Sequence, residues 1–135
     1  MFVDIHSHIL PSVDDGASDA GMALEMLKMA SIGGTAHIVA TPHYAAGSFE
    51  CTPSLVYEKC GWLQNLANEA GIDITIHSGS EVFICHDIPE LFDNGSILAL
   101  SGTAYILLEL PFDCIPLYTD KVLYNLQLKG LIPII

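Results

Sequence analysis

Arginine is absent from this 135-residue chain, and four lysines stand against sixteen aspartates and glutamates. A formal net charge of −12 argues against a nucleic-acid backbone as partner, because such binding rests on Lys and Arg neutralising phosphates. The same lack removes the usual bidentate clamp for a phosphoryl group. Phosphate chemistry here would need cations, backbone N–H groups, or arginines from elsewhere. No apolar run approaches the ~18 residues that span a bilayer. The N-terminus lacks the basic segment and apolar stretch of a secretory signal, since polar His6 and His8 arrive at once. A cytoplasmic setting without a membrane span is expected. Cys51, Cys60, Cys85 and Cys114 are widely spaced and form no CxxC, so they read as small hydrophobes rather than as disulfides or zinc ligands.

What is present is an apolar half, 51% of the residues, sufficient for the core of one domain over 1–135. Strand and helix signals alternate. Phe2–His6 is β-prone. Ser18 or Asp19 can cap a helix whose apolar stripe is Ala20, Ala23, Leu24, Leu27 and Ala30, closed by Gly33-Gly34. A strand over His37–Thr41 leads into Pro42-His43-Tyr44. Thr52-Pro53 reads as a cap with Pro at the first helical position, and Val56, Cys60, Leu63, Ala67 and Ala70 form the buried face of the helix that follows. Ile72–Ile76 is a strand, and a short extended piece lies near Val82–Ile84. A short helix covers Asp87–Phe92. Tyr105–Leu110 is a buried strand, Asp120 can cap a last helix, and Leu131–Ile135 is a further strand. Repeated βα units predict an α/β fold with parallel strands, in a sheet or a barrel.

The chemistry concentrates at strand ends. His6 and His8, at i and i+2, point to one face of the first strand. Asp14-Asp15-Gly16 lies on the loop just beyond. His43, Glu81 and Glu109 also fall at or just after the ends of expected strands, where the active sites of (β/α) barrels sit. Satisfied polar residues would have no reason to choose the same end of successive strands. Glu109 lies within Ile106-Leu107-Leu108-Glu109-Leu110, where an unpaired carboxylate is costly to bury. The candidate metal ligands are therefore His6, His8, Asp15, His43, Glu81 and Glu109, with Asp14 competing with Asp15. Six N/O donors exceed the needs of one tetrahedral zinc and fit two or three ions with Glu81 and Glu109 as bridges. Lacking thiolates, such a site favours manganese, iron or zinc. It would lower the pKa of a bound water for attack, with no side-chain base assigned. Asp4 reads as a supporting residue, and His37, His77 and His86 as non-ligands. Tyr44 fits either an aromatic substrate contact or a core position.

The segments Asp4-Ile5-His6-Ser7-His8, Asp14-Asp15-Gly16, Ala40-Thr41-Pro42-His43-Tyr44, Gly79-Ser80-Glu81-Val82 and Leu108-Glu109-Leu110-Pro111, in this order, resemble the polymerase-and-histidinol-phosphatase (PHP) superfamily. Their wording is most similar to the bacterial manganese-dependent protein-tyrosine phosphatases of capsule and exopolysaccharide operons, the CpsB/YwqE type. The resemblance covers essentially the whole chain. It implies a distorted (β/α)7 barrel of which residues 1–135 are the N-terminal part, a PHP-type phosphatase domain that is C-terminally incomplete. It implies the six ligands above, with Asp15 rather than Asp14, and two to three ions in the complete protein, manganese foremost, with iron or zinc as alternatives. It also implies hydrolysis of phosphotyrosine on a bacterial tyrosine kinase that controls polysaccharide export, and leaves a homo-oligomer open.

Family members continue past a strand like Leu131–Ile135 into an Ala-His-Pro-Glu-Arg segment and later an Asp-x-His segment. These supply further ligands and the phosphate-binding arginines, so residues 1–135 alone are expected to turn over weakly or not at all. Two other functions compete: a different PHP phosphoesterase such as a histidinol-phosphate phosphatase, and a non-catalytic metal-binding module.

Overall fold

A computed structural model describes residues 1–135. Strand β1 (Phe2–Ser7) pairs in parallel with β2 (Thr35–Ala40), which pairs in parallel with β5 (Thr75–Ser78). A second sheet contains β3 (His43–Ala45), β4 (Phe49–Glu50), β6 (Glu81–Phe83), β7 (Tyr105–Glu109) and β8 (Ile132–Ile134), in the order β4-β3-β6-β7-β8. The two sheets are close to one. β2 runs into β3 across Thr41-Pro42, and β5 into β6 across Gly79-Ser80. Thr41 N–H donates to the Ser7 carbonyl at 2.8 Å, and Glu81 N–H to the Pro42 carbonyl at 3.1 Å, which carries the pairing through both bends. The parallel strands thus follow one another in chain order, β1, β2/β3, β5/β6, β7, β8. Only β3–β4, a hairpin, is antiparallel.

Helices cover one side of this sheet. In α1 (Ala20–Ile32), Asp19 is the cap, its carboxylate accepting from Met22 N–H at 2.9 Å. In α2 (Pro53–Glu69), Thr52 caps and Pro53 opens the first turn, as the sequence indicates. Strand alternation explains the packing. Ile38 and Ala40 face the helices and join Ala23, Leu27, Val56 and Leu63 in one core cluster. Val39, between them, faces the opposite side with Leu100 and Leu107. A second cluster sets Val82, Ile106 and Leu108 against α3 (Ile88–Asp93) and α4 (Thr119–Leu128), through Ile88, Val122 and Leu126. No helix is long and apolar enough to cross a membrane.

Several local expectations shift. The strand expected over Ile72–Ile76 begins three residues later, because Ala70 and Gly71 close α2 and Ile72 N–H turns back to Ala67. Ala70 is exposed rather than on the buried face. The cap of α4 is not Asp120 but Tyr118, which makes no side-chain cap bond; Asp120 lies in the first turn, where it favours the helix dipole. The β3–β4 hairpin has no counterpart among the expected elements.

The cysteines report on this packing. Cys51 and Cys60 are buried, Cys85 is half-buried and Cys114 exposed, all as free thiols. Burial pushes the Cys60 thiol up to about 12 and raises that of Cys51. At pH 8 a colorimetric thiol reagent should therefore label Cys114 at once and Cys85 more slowly, leaving Cys51 and Cys60 silent until denaturant is added. Four fast thiols would show that α2 does not pack as described.

Candidate metal centre

The bend between β2 and β3, and its neighbour between β5 and β6, bring the polar residues together. His6 lies near the end of β1 and His8 just past it. His43 opens β3 and is paired in register with Glu81, which opens β6. Glu109 ends β7, paired with Phe83. Alternation then places His43, Glu81 and Glu109 on one face, at one end of the sheet.

Glu81 is the centre of the arrangement. Its side chain is 7% exposed, and three imidazoles surround it: His6 Nε2 at 3.0 Å, His8 Nε2 at 3.0 Å and His43 Nδ1 at 3.2 Å. Yet Glu81 Oε2 is buried without a hydrogen bond of acceptable geometry. Proximity and hydrogen bonding disagree here, and the geometry of His8 explains why. His8 Nδ1 lies 2.8 Å from Asp14 Oδ2, the short bond of a donor to a carboxylate. With its proton there, neutral His8 presents a bare lone pair at Nε2 toward Glu81. A lone pair faces a carboxylate at 3.0 Å, and His6 Nε2 comes within 3.3 Å of the same nitrogen. Donors converging in this way suit a shared cation.

The other candidates stand around this point. Asp15, 68% exposed, has Oδ1 3.4 Å from His43 Nε2, and Glu109 Oε2 is 3.4 Å from His43 Nδ1. Three overlapping sets result, each with ligand atoms within 4.8 Å of one another: His6-His8-Glu81, His8-Asp15-His43 and His43-Glu81-Glu109. All six candidates from the sequence lie in these sets. His37 and His77 lie apart, with His37 Nδ1 3.1 Å from His77 Nε2, and His86 packs on Tyr118.

Asp14 has a separate place. Its side chain is fully buried. Besides His8 it accepts Gly16 N–H at 3.0 Å and His43 N–H at 3.1 Å. Burial alone would raise its carboxyl; the bonds from His8 and the two backbone N–H groups outweigh that and hold it below the usual range. The hydrogen bond to Asp14 in turn raises His8, against its partial burial. One carboxylate thus fixes a ring orientation just past β1 and the start of β3. Asp4, expected as a supporting residue, only accepts from His6 N–H at 3.1 Å. In the sequence Asp14 differs from Asp15 by nothing except position. Gly16 closes the loop: a Cβ there would run into the backbone carbonyl and Cβ of His8.

Comparison with known proteins finds relatives along nearly the whole chain. Residues 2–135 match the family described as capsular polysaccharide synthesis, CpsB/CapC. The chain is 38% identical over 133 residues to the tyrosine-protein phosphatase YwqE of Bacillus subtilis, covering 98% of this chain and 52% of that protein. It is 37% identical to the putative tyrosine-protein phosphatase CapC of Staphylococcus aureus, with the same coverage. It is 29% identical to the tyrosine-protein phosphatase CpsB of Streptococcus pneumoniae, covering 98% and 55%. A crystal structure described as one of YwqE from Bacillus subtilis and CpsB from Streptococcus pneumoniae, unique metal-dependent tyrosine phosphatases, superposes with a TM-score of 0.94 at 38% identity, over 98% of this chain and 53% of that one. The chain spans about half the length of the curated relatives it matches.

The place of Asp14 gives a direct expectation. Asp14→Asn should weaken the binding of a divalent metal about 10–100-fold in calorimetry, because His8 loses the charged partner that orients it. Gly16→Ala should weaken it as well, by displacing His8. Unchanged affinity in both variants would remove Asp14 and its loop from the site.

Proposed function

Since this chain belongs to the CpsB/CapC family of capsular polysaccharide synthesis, we propose that it forms the metal-binding part of a phosphotyrosine phosphatase. The observation that carries this reading is Glu81, a buried carboxylate with an oxygen free of hydrogen bonds amid three imidazoles. His6, His8, Asp15, His43, Glu81 and Glu109, with the rest of the complete protein, would hold two to three divalent cations; imidazole and carboxylate donors without thiolate suit manganese, iron or zinc, and the resemblance to manganese-dependent phosphatases puts manganese first. Charge supports the number. Asp14, Asp15, Glu81 and Glu109 place four carboxylates in one cluster, which two divalent cations would neutralise.

When bound, such cations supply Lewis acidity toward phosphoryl oxygens and an acidified water. The chain's own residues do the rest. Asp14 fixes His8, and the buried floor around Glu81 keeps bulk water from one side. Exposed Asp15 and partly exposed Glu109 border the open side, where a phosphomonoester would enter. With no arginine in these residues, cations would carry most of the phosphate recognition contributed by this part.

The finer fold assignment belongs to the same proposal. Parallel strands in chain order support a (β/α)7 PHP barrel of which 1–135 is one PHP-type domain portion. The sheet face away from the helices is apolar and open, with Val3 58%, Ile5 41% and Tyr105 46% exposed, as expected of residues that line a barrel interior. The relatives' names point to phosphotyrosine proteins of capsule synthesis as substrates, with the cognate tyrosine kinase as the partner we favour. Four free thiols and no membrane-crossing helix suit the cytoplasm.

Loaded with manganese and desalted, a protein that completes residues 1–135 with the C-terminal half of the Bacillus subtilis relative should retain two to three equivalents by elemental analysis, and Glu81→Gln should lose most of them. Joined to the C-terminal half of the Bacillus subtilis relative, the same residues should hydrolyse a phosphotyrosyl peptide, with Glu81→Gln lowering turnover at least about 100-fold. Turnover of histidinol phosphate in place of the peptide would move the assignment to another PHP phosphoesterase. Retained metal without turnover of either would favour a binding module.

A further inference from the structure

The groove that opens on the candidate metal centre has aromatic walls, and we infer that Phe49 and Phe83 form a slot that selects aryl over alkyl phosphate monoesters. The inference rests on the phosphatase reading above and names the residues that set its substrate class.

The groove has a volume of about 430 Å³; Asp15, His43 and Glu109 lie at its polar end, and Ala45, Phe49 and Phe83 beside them. Strand register explains why these three meet. Phe83 stands two residues beyond Glu81 on β6, hence on the same face. Ala45 stands two residues beyond His43 on β3, on that face too, and Phe49 on β4 is paired directly with Ala45. On its other side Phe83 is paired with Glu109. Across the sheet the row therefore reads Phe49, Ala45, Phe83, Glu109. It forms one layer above the row of His43 and Glu81, roughly 6.6 Å further along the strands.

The small residue between two large ones is the useful feature. Phe49 and Phe83 are two strand spacings apart, roughly 10 Å, and Ala45 leaves the space between them unfilled. Aromatic pairs favour centroid separations of about 4.5–7 Å, so a phenyl ring lying over Ala45 would come within reach of both side chains. Phe49 is already held: its ring lies nearly parallel to that of His43, at 23° with centroids 5.7 Å apart. Phe83 is 37% exposed, a large apolar surface left open beside a polar site. A phosphoryl group at the level of His43 and Glu81 would project its ester substituent into this layer. A phenyl ring would fill the slot, whereas the one-carbon link of a serine phosphate would leave it empty. Tyr44, which the sequence left open between a substrate contact and a core position, faces the other way and packs in the core with Val82 and Ile84.

The test uses residues 1–135 joined to the C-terminal half of the Bacillus subtilis relative and loaded with manganese, titrated in a calorimeter with phenylphosphonate and with methylphosphonate, neither of which is hydrolysed. Phenylphosphonate should bind about tenfold more tightly. Phe49→Ala and Phe83→Ala should each bring the ratio toward one, and Phe83→Tyr should keep it. Ala45→Phe, which fills the slot without removing a wall, should also collapse the ratio, so the result does not depend on the alanine variants folding well. Equal affinity for the two phosphonates in the unaltered chain would overturn the slot while leaving the phosphoester reading intact. Failure of both to bind, with manganese retained, would overturn that reading and the slot with it.

Discussion

Removing a carboxylate from water is unfavourable by several kcal/mol unless something of opposite charge or a set of donors replaces the lost hydration. Glu81 is placed in that position, 7% exposed at the start of β6, and the polypeptide offers it imidazoles instead of ammonium or guanidinium groups. A neutral imidazole answers a carboxylate only through the nitrogen that carries its proton. In neutral His8 that proton is on Nδ1, donated to Asp14, so a lone pair at Nε2 faces Glu81. Much of the local structure follows from this constraint. The bend at Thr41-Pro42 turns His43 toward Glu81, the Asp14 loop folds back over His8 with Gly16 against its backbone, and Ser7 N–H is fixed to Thr41 Oγ1 at 3.0 Å so that β1 ends beside that bend. A cation held among them would satisfy all of these groups together. A hydrophobic substitution at position 81 would remove the conflict too, but would leave the converging imidazoles without purpose.

The same constraint separates two kinds of acid in one loop. Asp14 and Asp15 are chemically identical neighbours, yet one is fully buried and the other two-thirds exposed. The buried one has all the hydrogen bonds a carboxylate needs, from one ring and two backbone N–H groups, and is stable without a metal. The exposed one has no such partners and remains available beside His43. Stability and ligand supply are thus divided between adjacent positions. The loop backbone, held by Ala17 N–H to the His8 carbonyl at 3.0 Å, keeps them from exchanging places.

Much of this was legible in the sequence where it depended on periodicity. Two-residue spacing put His6 and His8 on one face, βα alternation gave parallel strands, and the two helices begin at the Asp19 and Thr52 caps that their sequences advertise. Contacts across long sequence separations were not legible. The choice between Asp14 and Asp15 turns on where the loop folds relative to β1, and no spacing rule carries that. Strand β4, Phe49–Glu50, is two residues long, too short for any alternation to register. Tyr44 attracted notice by adjacency to His43, whereas adjacency on a strand means opposite faces. The signal that could have found Phe83 was the same i, i+2 rule that had served for the histidines, applied upward from Glu81.

Charge ties the site to the stability of the chain. With sixteen acids and four lysines, the folded state is strained by its own field, and the carboxylates that converge at the strand ends add to it locally. A ligand that binds only the folded form stabilises it by RT ln(1 + [L]/Kd), about 2.7 kcal/mol at a hundredfold excess over Kd. Divalent cations at these donors would therefore do more than prepare a site for phosphate. They would offset a repulsion that the sequence, lacking arginine, has few positive side chains to relieve. They would also couple the order of β1, β3, β6 and β7, since each of these strands contributes at least one donor to the three overlapping sets. On this account cations held where the strands converge would offset the carboxylates gathered there.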